Sequence, residues 1–250
     1  MNTYKIVQNE QALRDFIDWL PELEPDEIYY LALFARKKYS PELKHSKTDK
    51  TQLKRFTSDK SRLLDKIRQL ECPVGSYKLK DVVAPQESLA LYITVNPRSQ
   101  TLAARGSLKK LADLISNPYQ GWNVHQEVMS QIQKAKSRTC WVDFDIDDKA
   151  VFDDKLPKLL QHIRDWIDDI NSGFVISDIF KDACKVLETK GGYHILIDPA
   201  KIKSGNSKLW VKIWYKTIIN LYEGKIDQVG DNMIPVVGCS QGDFVPRFLI

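Results

Sequence analysis

The segment Trp141-Val142-Asp143-Phe144-Asp145-Ile146 alternates apolar and acidic residues with a period of two. An extended strand turns that period into two distinct faces. Val142, Phe144 and Ile146 then point to a core, while Asp143 and Asp145 share the opposite face. Neighbouring carboxylates repel one another unless something positive lies between them. A divalent cation is the natural partner, since Mg²⁺ takes a few carboxylates together with water and phosphate oxygens. An edge strand with incidental acids has the same pattern, so the pair alone leaves both readings open.

The surrounding chain predicts a mixed architecture. Ala12, Phe16, Trp19 and Leu20 recur at helical spacing, as do Ile28, Leu31, Ala32 and Ala35 within residues 27–38, and Leu63, Leu64, Ile67 and Leu70. Residues 1–84 therefore read as a mainly helical N-terminal region, and residues 85–250 as a second domain. In the latter, Leu89 to Val95 reads as a strand, Ser107 to Ile115 as a helix and Lys136 to Ile146 as a strand. Leu156 to Ile170 reads as an amphipathic helix with the stripe Leu156, Leu159, Leu160, Ile163, Ile167 and Ile170. Phe174 to Ile176 is a short strand, and Lys185 to Glu188 with Tyr193 to Ile197 form a hairpin around Lys190 and Gly191. Lys208 to Tyr222 is a further helix, and the tail from Asp227 is irregular with strand character. Strands mixed with helices and hairpins indicate an α+β fold with helices on one face of the sheet.

Charge is unevenly spread. The chain carries 37 Lys and Arg against 33 Asp and Glu, a net +4. Between Arg36 and Arg68, however, twelve basic residues face four acids. Such a stretch reads either as a phosphate-binding surface or as a solvated helix face with a loop. The four cysteines (Cys72, Cys140, Cys184 and Cys239) form no CxxC pair and the four histidines are scattered, which excludes a sequence-level zinc motif. The cysteine usage predicts a reducing compartment. With no apolar run of about 18 residues to span a bilayer, the expectation is a cytoplasmic protein without a membrane partner.

Two further motifs could carry chemistry. Thr189-Lys190-Gly191-Gly192-Tyr193-His194 places two glycines at a hairpin turn, where the backbone can approach a ligand closely. His194 alternates with Tyr193 and Ile195 and could bond a phosphate oxygen, with Lys190 adding a point charge. An ordinary hairpin with a surface histidine has the same sequence. Downstream, Ile226-Asp227 offers another carboxylate, with Asp231 as a competitor, and Pro235 to Gly242 forms a glycine-containing turn.

In this order the motifs resemble the archaeo-eukaryotic primase superfamily, specifically its small phage, plasmid and bacterial primase-polymerases. That family combines a DxD strand, a hairpin ending in a small residue, any residue and histidine, a later apolar-Asp step, and a Pro-x-x-Gly turn. Asp143 and Asp145 match the first motif, His194 the second, Asp227 the third, and Pro235 to Gln241 the turn. Asn96-Pro97-Arg98 resembles a basic position found upstream of the DxD strand. The resemblance covers roughly residues 89–250. Two positions depart from the pattern: Gly192 stands where a serine is common, and Cys239 where threonine or serine is common.

The resemblance implies an RRM-like catalytic sheet and two Mg²⁺ or Mn²⁺ ions held by Asp143, Asp145 and Asp227, with no zinc. It implies nucleotide contacts from His194, Lys190, Gly192 and Arg98. A single-stranded DNA template would lie against Arg36, Lys37, Lys38, Lys54, Arg55 and Gln241, with stacking from Tyr39 or Phe56. The implied activity is template-dependent transfer of an NTP or dNTP, in primer synthesis or extension. A helicase or other replication subunit would be a separate chain. Two other readings share these residues: a metal-dependent nuclease or nicking initiator, and a primase-like nucleic-acid-binding subunit without catalysis. A nicking enzyme of the usual type needs a histidine pair, and His194 has no strand neighbour of its kind.

Overall fold

The computed structural model describes residues 2–43, 49–79, 81–116, 123–170, 182–202, 216, 220, 226–227 and 233–250. The chain is α+β with antiparallel sheets and forms two compact units, Met1–Thr139 with Met233–Asp243, and Cys140–Asn232 with Phe244–Ile250. The division therefore falls after Thr139, not at 84/85. The expected boundary is crossed by strand pairing within the first unit.

The first unit opens with α1 (Glu10–Trp19), capped by the Asn9 side chain, which accepts from the Ala12 N–H. Next come strands β1 (Glu27–Arg36) and β2 (Lys50–Ser58), helix α2 (Leu63–Arg68), and the small hairpin β3 (Lys78–Leu79) and β4 (Val82–Val83). Strands β5 (Leu89–Thr94) and β6 (Arg98–Ser99) lead into helices α3 (Gln100–Ser116) and α4 (Val124–Lys134). The helix expected over 27–38 is strand β1 instead, so residues 1–84 are not mainly helical. The reason is its place in the sheet. β1 pairs antiparallel with both β2 and β5, and its residues from Tyr29 to Leu33 are fully buried. A strand covered on both faces loses its alternation, and its spacing can then mimic a helix. The Tyr29-Tyr30 pair and Phe34 suit the pleated surface.

The second unit contains β7 (Val142–Asp147), the short α5 (Lys149–Phe152), α6 (Leu156–Ile170), β8 (Cys184–Glu188), β9 (Gly192–Ile197) and β10 (Ile226–Asp227). Chain order then returns to the first unit with β11 (Met233–Pro235), which pairs with β5, and ends with β12 (Arg247–Phe248) on β8. The second sheet runs β10-β7-β9-β8-β12, antiparallel throughout. Helix α6 and the hairpin β8–β9 form as the sequence predicts, whereas β7 begins only at Val142. The strand expected over 174–176 and the helix expected over 208–222 lie outside the described residues, apart from helical positions 216 and 220.

Beneath this sheet, Val142, Phe144, Ile146, Val186, Ile195, Ile197 and Ile226 pack in one core with Leu159, Ile163 and Ile167 of α6. Each of those helix side chains is at most 1 % exposed, contributing about 2 kcal/mol apiece to the packing. This core occupies one face of the second sheet and leaves the acidic face of β7 turned away from α6.

The turn after β11 is stitched into the first unit. Gly238 has φ of +78°, and its carbonyl accepts from the Gln8 and Asn9 N–H groups at 2.9 and 3.0 Å. A β-carbon there would stand 2.5 Å from the Asn9 carbonyl oxygen. Gly238→Ala combines a left-handed backbone with that collision. It is expected to cost about 2 kcal/mol or more, read as a lowered thermal midpoint. An unchanged midpoint would show that this turn is not held as described.

Candidate functional site

The register of the second sheet sets the site. Asp145 lies opposite His194 of β9 on one side and opposite Asp227 of β10 on the other. Directly opposed residues on neighbouring strands share a face. Asp143, two residues back, belongs to that face as well. The geometry thus brings together the two β7 acids, His194 and the backbone of Asp227. The Asp227 side chain and all of Asp231 lie outside the described residues.

Asp143 and His194 form a buried ion pair. His194 Nδ1 lies 3.0 and 3.2 Å from the two carboxylate oxygens of Asp143, and its Nε2 lies 3.8 Å from Asp145 Oδ1. Both side chains are nearly closed to solvent, whereas Asp145 is partly open. Burial works against a charged imidazole. The field of Asp143, its hydrogen bond, and the charges of Asp145 and Asp147 outweigh burial and push the His194 pKa up to about 9. At neutral pH the ring is therefore a cation with Nδ1–H donating to Asp143. A surface histidine, the bland alternative from the sequence, is not what the structure holds.

Asp147 continues the alternation of β7. It lies two residues beyond Asp145, is exposed, and is opposite Gly192 in the register. Gly192 does not leave its backbone free for a ligand. A β-carbon there would stand 1.7 Å from the Ile146 carbonyl oxygen, so the glycine is what lets β9 close against β7. Thr189 holds the turn, its hydroxyl lying 3.1 Å from both the Gly192 N–H and the Gly192 carbonyl. Lys190 sits half-buried at that turn.

A second cluster joins residues far apart in sequence, with no local motif to mark it. Glu188 is buried and bonded by Lys149 and by Arg247, whose Nε lies 2.6 Å away. Burial raises the Glu188 pKa, but the two cations hold it below the usual carboxylate range. Lys149 also lies over the Phe244 ring at 5.1 Å, and its N–H donates to the Gly191 carbonyl at 3.1 Å. Asp148, between β7 and α5, adopts φ of +77°, a left-handed conformation uncommon for a residue with a side chain. These bonds fix the turn beside the acids.

The remaining expected residues belong to the first unit. Arg98 is fully buried in β6 and Gln241 is 3 % exposed. Arg36 is 5 % exposed, with Nε donating to Asp49 at 2.9 Å and its guanidinium over the Tyr39 ring at 5.3 Å. Burial raises the Asp49 pKa, but the Lys38 N–H and Arg36 hold it below the usual range. Burial thus takes Arg36, Arg98 and Gln241 off the solvent surface. Lys38 and Lys54 remain exposed, and Lys37 and Arg55 are half-buried. Tyr39 is 9 % exposed and packs with Tyr92, and Phe56 is half-buried in β2.

Among the described residues, no group of three or more His, Cys, Asp or Glu side chains converges as a cation site. The donors nonetheless suit a hard cation in type, since Asp143, Asp145 and the register position of Asp227 are adjacent carboxylate-bearing positions. Also among the described residues, no helix is long and apolar enough to cross a membrane. Compared with protein-family models, curated proteins and solved structures, the chain matches none.

The ion pair has a pH signature. The folded His194 value near 9 lies above its ordinary 6.5. Its contribution is therefore complete below about pH 6.5, declines as pH rises, and is lost above about pH 9. Denaturant unfolding without divalent ions is expected to show a wild-type advantage over His194→Gln of up to about 3 kcal/mol at pH 6 that fades by pH 9.5. Parallel pH curves for the two proteins would contradict the pair.

Proposed function

We propose that the chain is a template-dependent nucleotidyltransferase of the primase-polymerase type, with its catalytic sheet RRM-like in arrangement. The observation that carries this reading is the common sheet face of Asp143, Asp145 and His194, with Asp227 in register beside Asp145. The order of these residues along the chain is that of the resemblance. A strand-borne acid pair next to a cationic imidazole suits a triphosphate with its counter-ions better than it suits a neutral ligand.

Asp143, Asp145 and Asp227 would hold the divalent ions, Mg²⁺ or Mn²⁺. When bound, such ions neutralise the triphosphate and favour attack by a 3′-hydroxyl. His194 is charged at neutral pH and would bind a phosphate oxygen of an incoming NTP or dNTP. Asp143 positions its ring through Nδ1, which leaves Nε2 toward Asp145 and the ligand side. Lys190 would add charge from the hairpin turn. Lys37, Lys38, Lys54 and Arg55 would contribute salt-sensitive affinity for a single-stranded DNA template. Gly192 serves by closing the strand pair that places His194.

Incubation of the protein with single-stranded DNA, Mn²⁺ or Mg²⁺ and labelled nucleotides is expected to give template-dependent incorporation. Asp143→Ala should lower it about 100- to 1,000-fold, a loss typical of removing a group that stabilises transition-state charge. His194→Ala should raise the apparent KM for nucleotide. Incorporation by Asp143→Ala at the wild-type rate would sink the reading. Metal-dependent cutting without extension would replace it with the nuclease alternative.

A further inference from the structure

The hairpin of α3 and α4 lacks the burial that ordinarily holds helices in place. It pairs a 17-residue helix with an 11-residue one, and Ala103 is the one fully buried residue among their described side chains. Most helical stability in proteins comes from packing of an amphipathic face, and among the described residues this pair has little such cover. Helix α3 already uses one side for α4. There Gly106 permits close approach to Gln131, where an added β-carbon would meet the amide oxygen at 3.0 Å, and Lys110 lies 3.8 Å from Glu127.

The outer side of α3 carries Ala104, Leu108, Leu111 and Ile115. Their spacing of four, three and four residues keeps them within about 60° of arc, the seam of a helix pair. Leu108 is 69 % and Ile115 82 % exposed, Ala104 is exposed, and Leu111 is half-buried. Isolated exposed leucines need no explanation, but a seam-spaced row on one helix does.

We propose that this seam pairs with the same seam of a second copy of the chain, with the two α3 helices antiparallel. Two features favour that occupant. Side-chain size is self-complementary in this direction: Leu108 meets the partner's Leu111, and Ala104 meets the partner's Ile115. A parallel pair would instead set Ala104 against its equivalent and leave a gap. The seam's borders are also nearly uncharged, with Thr101 and Ala112 on one side and Ser107 and Leu114 on the other. Arg105 is the one charge beside them, and it already lies in the field of Asp26, which caps the start of α3. In the antiparallel register Arg105 falls beside the partner's Ala112, so like charges do not meet. A strongly acidic or basic partner would find little to complement.

Such a pair buries on the order of 1,000 Å², the low end for a specific interface, so the dimer is concentration-dependent. Sedimentation of the full chain from low to several hundred micromolar is expected to shift the mass from 28.9 kDa toward twice that. Leu108→Glu with Ile115→Glu should raise the dimer dissociation constant more than about 100-fold while leaving the circular dichroism spectrum intact. Size complementarity supplies a second, fold-neutral test. Ala104→Ile and Ile115→Ala should each weaken the dimer, and the two together should restore it toward wild type. A wild-type chain that stays monomeric throughout overturns the proposal, including one that instead binds phosphatidylcholine–phosphatidylserine vesicles. So does a dimer indifferent to residues 104, 108 and 115.

Discussion

The second unit depends on one constraint, the antiparallel register of β7 between β9 and β10. That register gives β7 two unlike faces. Val142, Phe144 and Ile146 close the core against α6, and their burial fixes which way the strand faces. A slip by one residue would turn three aspartates into the apolar core and the apolar set away from α6, an exchange far costlier than any polar contact could offset. The acids are consequently held together although they repel. His194, brought opposite Asp145 by the same register, supplies the compensating charge. Gly192 is the local condition for this arrangement, since a side chain there would collide with the backbone of β7.

The electrostatics of the site follow from burial. A partly solvated histidine beside one carboxylate would titrate near neutrality. Here desolvation disfavours the charge, and three aspartates on the neighbouring strand overcome it. The result is a cation set into an acidic face. Under the proposed function the acids of this face would take the metal ions and the imidazolium a phosphate, through opposite charges. The ion pair also suggests why Asp143 is more buried than Asp145. Asp143 holds the histidine at Nδ1, while Asp145 keeps part of its carboxylate exposed.

Much of the second unit was legible in the sequence because its strand has one dry and one polar face. The alternation of β7, the helical stripe of α6 and the hairpin around Lys190 each show in the sequence the element type that forms. The first unit was harder. β1 is covered on both sides, so Ile28, Leu31, Ala32 and Ala35 mimicked a helix, and only the aromatic residues hinted otherwise. The basic stretch was legible as composition but not as surface, because charge counts do not show that Asp49 and Tyr92 draw Arg36 inward. Asp147 was available from the same alternation as its neighbours. Lys149, Glu188 and Arg247 were not, since Arg247 reaches Glu188 only through the pairing of β8 with β12, and Lys149 reaches it from α5.

Under the proposed function the acidic face of β7 would bind divalent metal beside His194. Anomalous diffraction from crystals grown with Mn²⁺ and a non-hydrolysable nucleoside triphosphate tests it most directly. The account predicts metal peaks ligated by Asp143, Asp145 and Asp227, with a phosphate oxygen within hydrogen-bond distance of His194. Ordered Mn²⁺ elsewhere, with the Asp143–His194 pair undisturbed and no metal on this face, would contradict it.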